Sequence, residues 1–164
     1  MKYHSPITRA VCAIIDRINP RNPPWVIVGG ASLFLQGGTH IPDDIDIVSN
    51  RSGVLIFAQT FARELISPPR FSRSGTILSF FVSIKLRSTL MHVEIMGDPI
   101  NRIGQHWKPN VLWRRSINFV SLAGRRIPVS SLGYELEINH LTGNAKRVKE
   151  IGMLLRGTPS PAKY

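Results

Sequence analysis

Between Asp44 and Asn50 the chain reads D-I-D-I-V-S-N, alternating charged and apolar residues with a period of two. That is the pattern of a half-buried strand, with Asp44 and Asp46 on one face and Ile45 and Ile47 on the other. Two carboxylates sharing a strand face repel each other, by roughly 4 kcal/mol at 4 Å and an effective dielectric near 20. Something must compensate, and a bound cation is the first candidate.

The flanking sequence places this strand within a mixed α/β order. Ser5 is a plausible N-cap with Pro6 at the first helical position, opening a helix through about Ile18 that N-P-R-N-P-P ends. W-V-I-V-G-G reads as a short buried strand stopped by Gly29 and Gly30, and A-S-L-F-L-Q as a short helix. After the Asp strand, Val54, Phe57, Ala58 and Phe61 recur at helical spacing. Residues 67–75, S-P-P-R-F-S-R-S-G, read as a basic loop. T-I-L-S-F-F-V-S-I-K-L and L-M-H-V-E-I-M are strand-like and joined as a hairpin, and residues 97–116 read as irregular and basic. A strand, a Gly-Arg-Arg turn and a second strand follow, then two closing helices separated by Gly143 and a frayed tail from Arg156. The expected fold is a mixed β-sheet flanked by helices, in one compact unit. Residues 1–127 would form the core, and residues 128–164 a C-terminal helical segment packed on it.

Chemistry concentrates in a few residues. Oxygen-only ligands such as Asp44 and Asp46 suit Mg²⁺ or Mn²⁺, which share carboxylates with waters and substrate phosphates. In H-V-E-I, His92 and Glu94 share a face, and pairing beside the Asp strand would make Glu94 the third acid. Gly29 and Gly30 end a strand and open a helix, where free backbone N–H groups can hold a phosphate chain and Ser32 could add a hydroxyl. Triphosphate at one end and metal at the other fits in-line nucleotidyl transfer. Asp43 should face the opposite side as a turn or cap acid. The spacing of His40, His92 and His106 does not suit zinc.

V-G-G, then D-I-D-I, then H-V-E-I-M resembles the nucleotidyltransferase superfamily that includes DNA polymerase β. The likeness is greatest to small prokaryotic members: minimal nucleotidyltransferases and abortive-infection (AbiEii-like) toxin relatives. The resemblance implies the nucleotidyltransferase fold, an NTP donor, Mg²⁺ and an acceptor hydroxyl. It implies that Asp44, Asp46 and Glu94 are the catalytic, metal-binding acids, with Glu94 deprotonating or orienting the acceptor, and that Gly29 and Gly30 are the glycine pair. Tyr134, Gly143, Lys146 and Glu150 fit the C-terminal pattern of these relatives, while Arg147 stands where an aspartate is common. Lys146 is the candidate there for reaching NTP phosphates.

Charge bears on partners. The 164 residues carry 21 Lys plus Arg against 10 Asp plus Glu, a net charge of +11 and a pI near 10.9. Such a chain favours polyanions, so a nucleic-acid acceptor such as tRNA ranks first, a protein hydroxyl second and an aminoglycoside third. The family's small members add the expectation of a toxin with a cognate antitoxin. No run approaches the roughly 18 apolar residues of a membrane span, and the N-terminus lacks a cleavage site, so a cytoplasmic protein is expected. One cysteine, Cys12, excludes a disulfide framework and a cysteine zinc site. The competing expectation is a catalytically silent module of the same fold that binds RNA or a partner protein.

Overall fold

The computed structural model describes residues 5–19 and 23–157. The end of the N-P-R-N-P-P stretch's interior, residues 20–22, and the tail beyond Gly157 lie outside the described residues.

Helix α1 (Pro6–Ile15) starts as its cap residues dictate: Ser5 accepts a hydrogen bond from the Thr8 N–H, and Pro6 occupies the first turn. Strand β1 (Trp25–Val28), helix α2 (Gly29–Leu35), strand β2 (Asp44–Ser49) and helix α3 (Arg51–Thr60) follow in the expected order. Asn50 caps α3 by accepting from the Gly53 N–H. Strands β3 (Leu65–Ser74), β4 (Ile77–Lys85), β5 (His92–Ile103), β6 (His106–Pro109), β7 (Ile117–Leu122) and β8 (Arg125–Ser130) come next. Helices α4 (Leu132–Leu141) and α5 (Ala145–Leu155) close the chain, capped by Ser131 and Asn144. The expected boundary between residues 127 and 128 falls inside β8.

Two stretches differ from expectation. Residues 67–75 belong almost entirely to β3, an edge strand, rather than to a loop. Pro68 and Pro69 are accommodated where the β3–β4 register shifts between Ser67 and Arg70, because an edge strand or bulge does not need every N–H. Residues 97–116 are not irregular: β5 runs on to Ile103 and turns into a hairpin with β6. A 3₁₀ turn at Leu112–Arg115 follows.

Among the described residues, eight strands form one mixed sheet in the order β3-β4-β5-β2-β1-β8-β7, with β6 paired to β5. Strands β2 and β5 are parallel, as are β1 and β8, and the other pairs are antiparallel. One face carries the main core, where α1, α2 and α3 bury Ile14, Phe34 and Phe57 against Ile27, Ile45, Ile47 and Ile95. The close approach of α3 depends on Gly97, where a Cβ would lie 2.7 Å from Val54 Cγ2 and 3.1 Å from Arg51 Cα. The other face is covered only in part, by a small cluster of Val26, Val28, Val48, Trp113 and Tyr134. No described helix is long and apolar enough to cross a membrane.

Candidate active site

The period-two pattern places Asp44, Asp46 and Val48 on the same face of β2. Trp113 and Tyr134 cover the Val48 end. The other end is open, leaving Asp44 exposed and Asp46 half-buried. Strand β5 runs parallel to β2 in a register that sets His92 opposite Asp44 and Glu94 opposite Asp46. Strand β1 lies on the other side with Val28 opposite Asp46, so the chain leaves β1 at Gly29 directly beside the acids. Three sequence-distant segments thus meet at one patch of sheet.

Gly29 is required here. Its φ is +65°, a left-handed conformation that strains an L side chain, and a Cβ would stand 3.3 Å from Asp46 Oδ2. Its N–H donates to Glu135 Oε1 at 2.8 Å. Glu135 lies on α4, is buried, and also accepts from the Ser130 hydroxyl. That hydroxyl, donating in its other rotamer, lies 2.9 Å from Ser32 Oγ. Ser32 is fully buried, and its hydroxyl is 3.2 Å from the Ser130 carbonyl oxygen to which it donates. Ser32 therefore braces α2 against β8 and does not present its hydroxyl to the cleft, a correction to its expected part in holding phosphate. The Gly29 N–H is likewise already occupied, which leaves Gly30 as the open position of the turn.

Electrostatics at the patch follow from burial and like charge. Burial first, then the charges of Asp44, Glu94 and Glu135, push Asp46 up to about 7, with Arg147 working in the opposite direction. Burial and Asp44 also raise Glu94, against a smaller opposing effect of His92. Burial raises Glu135, opposed by its hydrogen bonds from Ser130 and Gly29 and by Arg147. Among the described residues no three His, Cys, Asp or Glu side chains stand close enough to hold a metal ion unaided. A cavity of about 340 Å³ beside α1, lined in part by Thr8, Cys12 and Leu122, touches none of these residues.

Lys146 is exposed on α5, and the cation that reaches the glycine turn is its neighbour. An Arg147 guanidinium nitrogen lies 3.5 Å from where a Gly30 Cβ would be, and the same side chain pairs with Glu150 at 3.0 Å. Glu135 is not singled out in the sequence, and Arg147 is noted there only as a basic residue where an aspartate is common. Asn144 caps α5 by accepting from the Arg147 N–H, so the cap was the one local signal fixing where Arg147 sits on the first turn. Glu135 carried no such signal, since its partners are 106 and 5 residues away in the chain.

No family model matches the chain, and no curated protein matches it. Solved structures do. A Thermotoga maritima protein, provisionally assigned as a nucleotidyltransferase, is 29% identical, with a TM-score of 0.74 over 91% of this chain and 92% of that one. The lincosamide adenylyltransferase LnuA, solved with lincomycin, matches at 13% identity and a TM-score of 0.59 over 89% and 96%. ANT(2″)-Ia, solved with adenylyl-2″-tobramycin, matches at 15% identity and a TM-score of 0.52 over 91% and 88%. The strand order that brings Asp44, Asp46 and Glu94 together is thus set in a fold shared along nearly the whole chain. The chain therefore has the nucleotidyltransferase fold.

Proposed function

We propose that the protein transfers a nucleotidyl group from an NTP to an acceptor hydroxyl. The observation that carries this reading is the registered pairing of Asp46 with Glu94 and of Asp44 with His92, beside the glycine turn that ends β1. In the reaction the acceptor oxygen forms a bond to the α-phosphorus while the bond to the β-phosphate bridging oxygen breaks, and pyrophosphate leaves. Glu94, exposed at the open edge of the patch, takes the acceptor proton. Gly30 and the Arg147 guanidinium, with Lys146 on the same turn of α5, receive the triphosphate. Gly29, Ser32 and Glu135 hold the turn in shape beneath it.

The donor set fits a hard divalent ion. Asp44, Asp46 and Glu94 offer only carboxylate oxygens, and their mutual repulsion at Asp46 is opposed chiefly by Arg147. Because the acids do not form a closed cage, Mg²⁺ or Mn²⁺ would be held jointly with phosphate oxygens and waters. When bound, the ion neutralises charge on the transferring phosphoryl group and on the departing pyrophosphate.

The net charge of +11 favours a nucleic-acid acceptor such as a tRNA 3′ end. A second reading, a small antibiotic acceptor, is favoured by the antibiotics bound to LnuA and ANT(2″)-Ia and by the local acidity of the patch. Incubation with each NTP labelled at the α-phosphate, Mg²⁺, and either total RNA or an aminoglycoside and lincosamide panel separates them. Label moving into RNA with release of pyrophosphate supports the first reading. Label moving into an antibiotic supports the second. Transfer to neither, with RNA binding retained, supports a silent module of this fold.

A further inference from the structure

We infer that the ribbon formed by β3, the far end of β5 and β6 is a docking surface for a single strand of nucleic acid. Between Leu65 and Tyr134 the sequence has only two acids, Glu94 and Asp98. Glu94 belongs to the acid patch. Asp98 already accepts the Arg51 N–H and pairs with Arg114. Among the described residues, no ion pair joins Arg70, Arg73, Arg102 or Lys108 to a carboxylate.

Their placement is ordered by the strand register. Phe71 is opposite Phe80, Arg73 opposite Leu78, Leu78 opposite Ile100, and Arg102 opposite Trp107. Phe71, Arg73, Arg102 and Trp107 accordingly share one side of the sheet. The Arg73 guanidinium lies 5.0 Å from the Trp107 ring centroid, and Arg51 lies 5.3 Å from Phe71 and 4.7 Å from Phe80. Stacking uses the flat face of a guanidinium and leaves the N–H groups at its edge directed outward, where phosphate oxygens can accept them. Phe71 is 70% exposed, an unusual place for a phenyl ring and a ready platform for a base.

The same strand argues against a peptide occupant. A peptide would add to the free β3 edge through backbone hydrogen bonds, and the adjacent Pro68 and Pro69, at a register shift, interrupt the N–H donors of that edge. A strand of nucleic acid needs only the side chains. It also has a route to the acids. Arg70 is opposite Phe81, and Phe81 is opposite Met96, which puts Arg70 on the Glu94 side while Phe71 and Arg73 face the other. Strand β3 lies three strands from β2, about 14 Å at the usual strand spacing. The edge thus offers cations on both sides of a path leading from the patch. That this strand is the acceptor rests on the transfer reading; that it binds does not.

The test is fluorescence anisotropy of a labelled 12-residue oligouridylate with the intact protein and three variants. Arg73→Glu and Phe71→Ala change the ribbon, and Arg156→Glu repeats the charge change at the end of α5. The expected result is binding weakened at least about fivefold in each ribbon variant and less than about twofold in Arg156→Glu. NTP titrations should be unchanged in Arg73→Glu and Phe71→Ala, and their thermal melts should match the parent. Absence of oligouridylate binding, equal binding by all three variants and the parent, or equal competition by polyglutamate would each overturn the inference. Ribbon-dependent binding in a protein that fails to bind NTP would uphold it while removing the transfer reading.

Discussion

Asp46 sits where burial and three neighbouring carboxylates oppose its charge, raising it from 3.8 to about 7. An acid raised on folding contributes stability that is fully present below its unfolded value and is lost as pH rises through the folded one. Metal-free protein should therefore become less stable between about pH 4 and pH 7, with Glu94 and Glu135 acting in the same direction. Asp16, lowered by its hydrogen bonds from Arg125, and Glu64, where burial is outweighed by Arg17 and Arg87, act in the opposite direction, at the acidic end of that range and below it. Asp46→Asn should flatten that slope and stabilise the metal-free protein at pH 8 by about 2 kcal/mol. Thermal melts of both proteins across pH 4–8 in chelator check this, and parallel profiles would contradict it. Arg147→Ala should weaken NTP binding about tenfold and Lys146→Ala less than about threefold, because Arg147 is the cation at the glycine turn. The acids were legible as residues because period two assigns their face without any tertiary knowledge. Arg147 was not, since its distance to Gly30 depends on how α5 packs after the turn at Gly143.

At the level of elements, periodicity and the Ser5 cap located most of what folds, and the structure shows the same device at three more helices. Ser5, Asn50, Ser131 and Asn144 each cap the helix they precede. Strand β3 reads as a loop in the sequence because two prolines and five polar residues look like loop chemistry, and nothing local states that a strand will lie at an edge. The pairing of β2 with β5 was also beyond local reading: 48 residue numbers separate Asp46 from Glu94, and a parallel register is set by what packs between. Helix α3 is held against β5 across Gly97. Gly97→Ala should cost about 1–3 kcal/mol, since the added methyl meets Val54 and the backbone of Arg51 and Asn50. Chemical denaturation measures it. A variant within about 0.5 kcal/mol of the parent would mean that α3 is free to shift.

The whole molecule is a sheet used asymmetrically. One face is covered by three helices except over the outer ends of β3 and β5 and over β6; the other is covered only at the Val48 end, and the open end carries the acids. The general fold, a mixed sheet with helices, followed from the order of strand-like and helix-like segments. Its strand order did not, because crossovers leave no local trace. Charge is divided in the same manner, with four of the ten acids, Asp44, Asp46, Glu94 and Glu135, gathered at the patch and cations spread along β3 to β8. That division lets a basic chain hold a locally acidic patch.

The most direct measurement is calorimetric titration of each NTP into the protein, with and without Mg²⁺, beside a variant carrying Asp44→Ala and Asp46→Ala. The account predicts binding of at least one NTP that requires Mg²⁺ and disappears in a folded double variant. NTP binding that ignores both Mg²⁺ and the two aspartates would contradict it.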